Sequence, residues 1–372
     1  MMLRVGVTGS NGFIGGHLCR EIILNDNRLE LIAFNRDWFD DCINLDAFVD
    51  KCDVIIHLAG INRHSDSEVI FNTNISLTNS LINSFERTNF KGNVLFSSST
   101  QEERDNTFGN SKKVSRELFT KWAIKSGASF KGLIIPNVFG AFGKPYYNSV
   151  ISTFCHQLIN NEIPQIDQDV TLNLIYVNDL TNLIIDLIDV KSVENIKIRH
   201  TASYKVSEIL RHLEIFREKY FRLGQIPSLI DNFELNLFNS FRSHINLINF
   251  FPVKYKKNED ERGNFVEIIR LETGGQVSFS TTKKGITRGN HFHTRKVERF
   301  SVLKGKALIQ LRKFGTSEIL DFYLTGDEPA FVDMPIWYTH NIKNIGDDEL
   351  FTMFWINEFY DAKDPDTYFE IV

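Results

Sequence analysis

Leu3-Arg4-Val5-Gly6-Val7-Thr8-Gly9-Ser10-Asn11-Gly12-Phe13-Ile14-Gly15 begins as a short apolar strand, passes through glycines at GxxGxxG spacing and leads into a helical stretch over about Gly16–Ile23. Glycine permits the tight turn and a close backbone approach, and a helix N-terminus offers free N–H groups and a positive dipole end. The glycines alone would be weak evidence. Placed between a strand and a helix, they form the context that holds a pyrophosphate. Gly9, Asn11, Gly12, Phe13, Ile14 and Gly15 are therefore candidate dinucleotide-binding residues.

Outward from this loop, Leu29–Phe34, Val54–Leu58, Val94–Phe96 and Lys131–Ile135 are apolar runs separated by longer amphipathic stretches. That rhythm, kept to about Ile198, predicts a parallel α/β sheet. Ser207–Leu223 carries apolar residues at helix spacing and is expected to close the first domain. Beyond Phe251-Pro252 the texture changes to short strand-like runs between glycine and charged turns: Phe265–Arg270, Gln276–Thr281, Arg299–Leu303, Ala307–Arg312, Glu318–Tyr323 and Glu349–Ile356. These predict an all-β barrel or jelly roll. The 372 residues accommodate two cores, with expected domains 1–248 and 249–372.

A net charge of -5 argues against a nucleic-acid partner. No signal-peptide core and no apolar run of spanning length is found, so the expectation is a cytoplasmic protein without a membrane partner. The four cysteines lack CxxC spacing and read as free thiols. At the end of the second strand stand Asn35 and Arg36. A guanidinium there can pair with a ribose 2′-phosphate, which favours NADP(H); the alternative leaves Arg36 on the surface and Asp37 on the ribose.

Further segments resemble the extended short-chain dehydrogenase/reductase family over about residues 1–245. Val54-Ile55-Ile56-His57-Leu58-Ala59-Gly60 looks like its loop beside the adenine and nicotinamide ribose, Asn72-Thr73-Asn74 like its helix-four asparagine region, and Pro136-Asn137-Val138-Phe139-Gly140 like its loop after strand six. The resemblance implies a Rossmann-like doubly wound parallel sheet, with Leu58, Ala59, Gly60 and Asn74 joining the cofactor set. It also implies a catalytic Ser/Thr, Tyr and Lys, the last two at YxxxK spacing. Here Ser99 supplies the hydroxyl, with Ser98 in reserve, and Lys112 stands at the lysine position, where it would also hold the ribose. Phe108 occupies the tyrosine position, and phenylalanine carries no exchangeable proton. Three readings stay open: a substitute donor such as Ser99, Lys112 or water, binding without turnover, or a disabled reductase. Substrate is expected at Ser99, Asn148-Ser149-Val150 and Arg104, while Tyr176 and Asp179 resemble the family's late strand-loop motif or are structural.

In the second half, Gly285-Ile286-Thr287-Arg288-Gly289-Asn290-His291-Phe292-His293, continuing through Glu298 to Gly305, matches the first cupin motif, G-x5-HxH-x4-E-x6-G. On a strand the two histidines share one face. Pro335-Ile336-Trp337-Tyr338-Thr339-His340 with Asn344 matches the second motif, except that Trp337 replaces a glycine. His291, His293, Glu298 and His340 are the expected ligands of a divalent metal, with zinc the first expectation and Mn, Fe or Ni compatible. Tyr338 is a candidate base or a packing aromatic.

With the runs Asp260–Glu267, Gly289–Phe300 and Asn357–Tyr368, the whole chain resembles bacterial capsule and O-antigen bifunctional enzymes on the route to UDP-N-acetyl-L-fucosamine. That resemblance implies C3 epimerisation of a UDP-linked 4-keto-6-deoxy amino sugar in the cupin, NADPH-dependent reduction at C4 in the first domain, and a homodimer. Two alternatives remain: a cupin epimerase with a latent reductase domain, and a non-catalytic sugar-nucleotide sensor.

Overall fold

The computed structural model describes residues 2–24, 28–261 and 263–372; Arg262, within the Asp260–Glu267 run, lies outside the described residues. The chain forms two compact units. The first comprises Met1–Val150 and Gln168–Val206, the second Ile151–Asp167 and Ser207–Val372.

In the first unit a 6-stranded parallel sheet runs in the order Leu29–Ile32, Leu3–Thr8, Val54–His57, Asn93–Ser99, Ser129–Ile135, Val193–Lys197. Both faces are covered, which is why its inner strands read as nearly continuous apolar runs, whereas the edge strand Val193–Lys197 is mostly exposed. One face packs Val5, Val7, Ile56 and Leu133 with Leu18 and Ile22 of the helix Phe13–Leu24 and with Leu180 and Ile184 of the helix Val177–Asp186. Against the other lie Phe48, Phe85, Phe96, Phe119, Trp122 and Phe130. Gly6 sits beneath this aromatic layer, where an added Cβ would come within 2.4 Å of the Phe48 ring.

The second unit contains two 5-stranded sheets. One orders Val253–Lys254, Ala330–Met334, Glu298–Lys304, Leu350–Ile356 and Gln276–Thr282; the other orders Ile319–Thr325, Lys306–Lys313, Tyr338–Asn344, Thr287–Phe292 and Tyr368–Phe369. Every pairing in them is antiparallel, and Phe300, Val302, Ile309, Leu311, Phe322 and Ile342 fill the space they enclose as a cupin barrel.

The helical stretch Ser207–Leu223, expected to close the first domain, belongs instead to the second unit. Buried polar chemistry explains why. Arg299 and Asp333, both at or below 1% side-chain exposure, form a two-pronged ion pair at 2.7 and 2.9 Å across adjacent strands. A buried carboxylate is stable only when its remaining lone pairs are met, and the Tyr220 hydroxyl donates to Asp333 Oδ2 at 2.8 Å. From the helix Asn232–Arg242, Arg242 donates to the Met334 carbonyl and Asn239 to the Arg295 carbonyl. The change in sequence texture near residue 249 is thus not where the packing divides.

Candidate functional site

The glycine loop performs the turn expected of it. Gly9 has φ +76°, and a Cβ there would lie 2.7 Å from the Ala59 nitrogen; one on Gly15 would lie 2.1 Å from the Gly9 carbonyl oxygen. Side chains at these points would close the approach from strand to helix. Above the loop opens a cavity of about 740 Å³, lined among others by Gly9, Asn11, Gly12, Phe13, Ile14, Gly15, Leu58 and Gly60 at one part and by Ser99, Phe108, Lys112, Asn148 and Ser149 at another. That volume suits a dinucleotide-sized ligand.

Four expected cofactor residues are not on its wall. Ala59 instead packs under Gly9. Asn74 is 4% exposed, with its amide committed to the Ile61 backbone in both directions and to Ser111, so it shapes the loop. Asn35 caps the turn Arg36–Asp40 through the Asp37 N–H, and Arg36 is exposed without an ion pair among the described residues. Arg104 and Val150 also lie off the wall, as do Tyr176, buried at the end of its strand, and Asp179, whose carboxyl is pushed up by burial.

Phe108 reaches the cavity because Gly109 allows its helix, Thr107–Ser126, to press onto the turn Thr100–Glu103; a Cβ on Gly109 would meet the Gln101 carbonyl oxygen at 2.0 Å. The Ser98 hydroxyl is spent on Glu102. Ser99 Oγ accepts from the Gln101 N–H, and among the described residues no acceptor takes its own proton. Lys112 is 6% exposed, with its ammonium 4.8 Å from the Phe96 ring centroid and 5.9 Å from that of Phe108. Burial pushes it down to about 8. Below the site His57, bonded to Thr8 Oγ1 at 2.6 Å, is driven down to about 3, chiefly by burial and then by the Lys112 charge, so this ring stays neutral.

In the barrel the ligand atoms of His291, His293, Glu298 and His340 all lie within 4.8 Å of one another. Glu298 Oε2 is 3.3 Å from His293 Nε2 and 3.2 Å from His340 Nε2, which is 3.2 Å from His291 Nε2. Burial, then the other two imidazoles, pushes His291 down to about 4. Burial opposes a charge on Glu298, yet the adjoining His293 and His340 rings hold its carboxyl well below the usual range. The outer nitrogens of His293 and His340 donate to the carbonyls of Asp366 and Tyr338, which leaves both Nε2 atoms aimed inward. Such outer bonds fix the tautomer a metal ligand needs. Three imidazole nitrogens and one carboxylate oxygen, all inward, are a donor set that fits a divalent ion.

The bond between His293 Nδ1 and Asp366 was not legible in advance, since Asp366 is 73 residues further on and no spacing rule links them. Two backbone devices aim the ligands. Gly289, at φ +95°, precedes a bulge that re-aims His291. Trp337 holds φ +62° at the position where the motif has glycine, and is 0% exposed, stacked 5.7 Å from Phe292. Left-handed backbone costs a non-glycine residue roughly 1–2 kcal/mol, less than the roughly 3–5 kcal/mol lost on removing a buried tryptophan ring. Trp337→Gly is accordingly expected to lower the denaturation midpoint, with a net loss of about 1–4 kcal/mol, despite relieving the strain. Tyr338 shares the strand face of His340, two residues along, and is half-buried against the barrel core.

A glycine-cradled cavity on a parallel sheet and a barrel with a metal-type donor set define a two-domain protein of the nucleotide-binding, enzyme-like kind. Residues 5–198 match the NAD dependent epimerase/dehydratase family and residues 258–368 the polysaccharide biosynthesis C-terminal domain. The chain belongs to the NAD dependent epimerase/dehydratase family. It is 31% identical over 371 residues, 98% of each chain, to UDP-2-acetamido-2,6-beta-L-arabino-hexul-4-ose reductase of Pseudomonas aeruginosa. Capsular polysaccharide assembling protein CapF from Staphylococcus aureus superposes with a TM-score of 0.64 at 33% identity, covering 100% of both chains. RMD from Pseudomonas aeruginosa, solved with NADPH, shares the fold at 20% identity and a TM-score of 0.54, over 58% of this chain and 83% of its own. Among the described residues no helix is long and apolar enough to cross a membrane.

Proposed function

We propose that this chain carries two consecutive activities on a UDP-2-acetamido-2,6-dideoxy-4-ketohexose: inversion at C3 in the barrel, then NADPH-dependent reduction at C4 to UDP-2-acetamido-2,6-dideoxy-L-talose. The observation that carries the reading is the coexistence, in one chain alignable end to end with a sugar-nucleotide reductase, of four inward metal-type ligands and a glycine-cradled cavity reaching Ser99 and Lys112. When bound, a divalent ion, zinc by first expectation, supplies polarisation of the ketone, and NADPH supplies a hydride.

The chain's own groups do the rest. A proton on C3 is acidic because it lies beside the C4 carbonyl, and Tyr338, on the face of His340, is the candidate to remove it. Delivery of a solvent-derived proton to the opposite face of C3 inverts the centre, while the proton taken by Tyr338 is lost to water. In the first domain Ser99 donates a hydrogen bond to the C4 oxygen, and the Lys112 ammonium delivers the proton that Phe108 lacks. An ammonium titrating near 8 is a competent acid at neutral pH. Preference for NADPH over NADH rests on Arg36, which is exposed just beyond the second strand and forms no ion pair among the described residues.

Phe108 favours a second reading, a barrel epimerase whose reductase domain is latent. NADPH oxidation with a UDP-linked 4-keto-6-deoxy-N-acetylhexosamine, followed by absorbance, separates the two. Turnover by the chain as it stands is expected. Absence of turnover until Phe108→Tyr restores it would make the reductase domain latent and leave the barrel as the sole catalyst.

A further inference from the structure

We infer that the segment Asp364–Glu370 is a working part of the barrel's metal centre, with Asp366 the positioning residue that holds His293 in its ligating form. The inference rests on the metal reading above and names a group that reading does not contain. His293 is followed by a sharp turn, Thr294–Val297, that links the strand Thr287–Phe292 to the strand bearing Glu298. This turn has three consecutive N–H groups to satisfy, and one side chain satisfies all of them. Asp366 Oδ1 accepts from the Thr294 N–H at 2.9 Å and the Thr294 hydroxyl at 2.7 Å, while Oδ2 accepts from the N–H groups of Arg295 and Lys296 at 3.1 and 3.0 Å. The same residue's carbonyl accepts from His293 Nδ1. Asp366 is 3% exposed and adopts φ +38°, a conformation that lets its carboxylate and its carbonyl address neighbouring parts of one loop.

The flanking residues secure it in place. Arg295 pairs with Asp364, and Lys296 donates to the Pro365 carbonyl. Tyr368 and Phe369 pair with Phe292 and His291 as an added strand, the Tyr368 ring stacking 5.2 Å from Phe292, and Glu370 accepts from Thr339, the neighbour of His340. The segment therefore touches a residue at or next to each of the three histidines, through the backbone at His291 and His293 and through the Thr339 hydroxyl beside His340. With Nδ1 protonated and bonded to Asp366, His293 Nε2 carries the lone pair a metal needs.

The test is metal affinity of the full chain, stripped of metal and titrated with Zn²⁺ or Co²⁺ against a chromophoric chelator. The parent is expected to bind one ion per chain. Asp366→Asn, which keeps the carbonyl but offers an NH₂ where a carboxylate oxygen accepted two N–H bonds, is expected to weaken binding about 10–100-fold and to shift the Co²⁺ d–d absorption. Thr294→Val removes only the hydroxyl bond; it should weaken binding by a smaller factor, and it keeps the test open if Asp366→Asn does not fold. Unchanged affinity and unchanged Co²⁺ spectrum in these variants would overturn the inference, leaving Asp366 a mere fastening of the segment. A parent that binds neither ion would overturn it too, by removing the metal reading itself, a result distinguishable from the former.

Discussion

His340→Ala is expected to abolish deuterium incorporation at C3 from D₂O while leaving NADPH oxidation with the C3-inverted ketone near the parent rate. His340 is 0% exposed and lies 3.2 Å from both Glu298 and His291, at the centre of the ligand set. Removing it leaves an incomplete donor set, with Glu298 facing only His293. Lewis-acid polarisation is worth several kcal/mol of barrier, so exchange should fall by about 10³-fold or more. NMR of the sugar nucleotide after incubation in D₂O, beside absorbance at the NADPH band, measures both activities on one preparation. Parallel loss of the two would contradict separate sites.

Lys112→Met is expected to do two opposite things: to cut reduction by roughly 10²–10⁴-fold and to make the cofactor-free protein more stable. Burial lowers the ammonium from an ordinary 10.5 to about 8. Between those values the unfolded chain binds more protons than the folded one, so the parent's stability rises with pH across that window. Below about pH 8 both states are protonated, and the full burial penalty is present. Methionine removes that penalty, giving a gain of up to about 3 kcal/mol at pH 7. Denaturant titrations of parent and variant at pH 7 and pH 10 check it, since their difference should shrink at the higher pH. A variant less stable than its parent at pH 7 would mean the ammonium is better accommodated than its aromatic surroundings indicate.

Much of this molecule is legible in its sequence, for identifiable reasons. The parallel sheet was readable because buried strands are short unbroken apolar runs, and the strand, glycine turn and helix at Leu3–Gly15 form one local motif. The metal-type set was readable because HxH and Glu298 fall within one strand–turn–strand run and His340 follows Pro335 on the strand paired with Thr287–Phe292. What escaped reading depends on long-range packing. Asn74 looked like a cofactor residue, yet its amide is consumed by Ile61 and Ser111, a competition invisible along the chain. The helices after Ser207 looked like the end of one domain and proved to be the cover of the other, because Tyr220 and Arg242 answer to strand residues Asp333 and Met334 about 90 to 110 positions downstream. Trp337 departed from its motif in residue type while keeping the motif's backbone shape.

The buried Arg299–Asp333 pair, with Tyr220 as its third member, bears on how such a gene can be shuffled. A recombination breakpoint at residue 249 would transplant the barrel without the phenol that completes Asp333, exposing an ion pair evolved for a dry setting. The compact unit that holds the barrel begins before the strand-rich chain does, near residue 206, and draws in Ile151–Asp167 from within the first half of the chain. Exchange of the chain at the change in texture is therefore penalised at the level of folding.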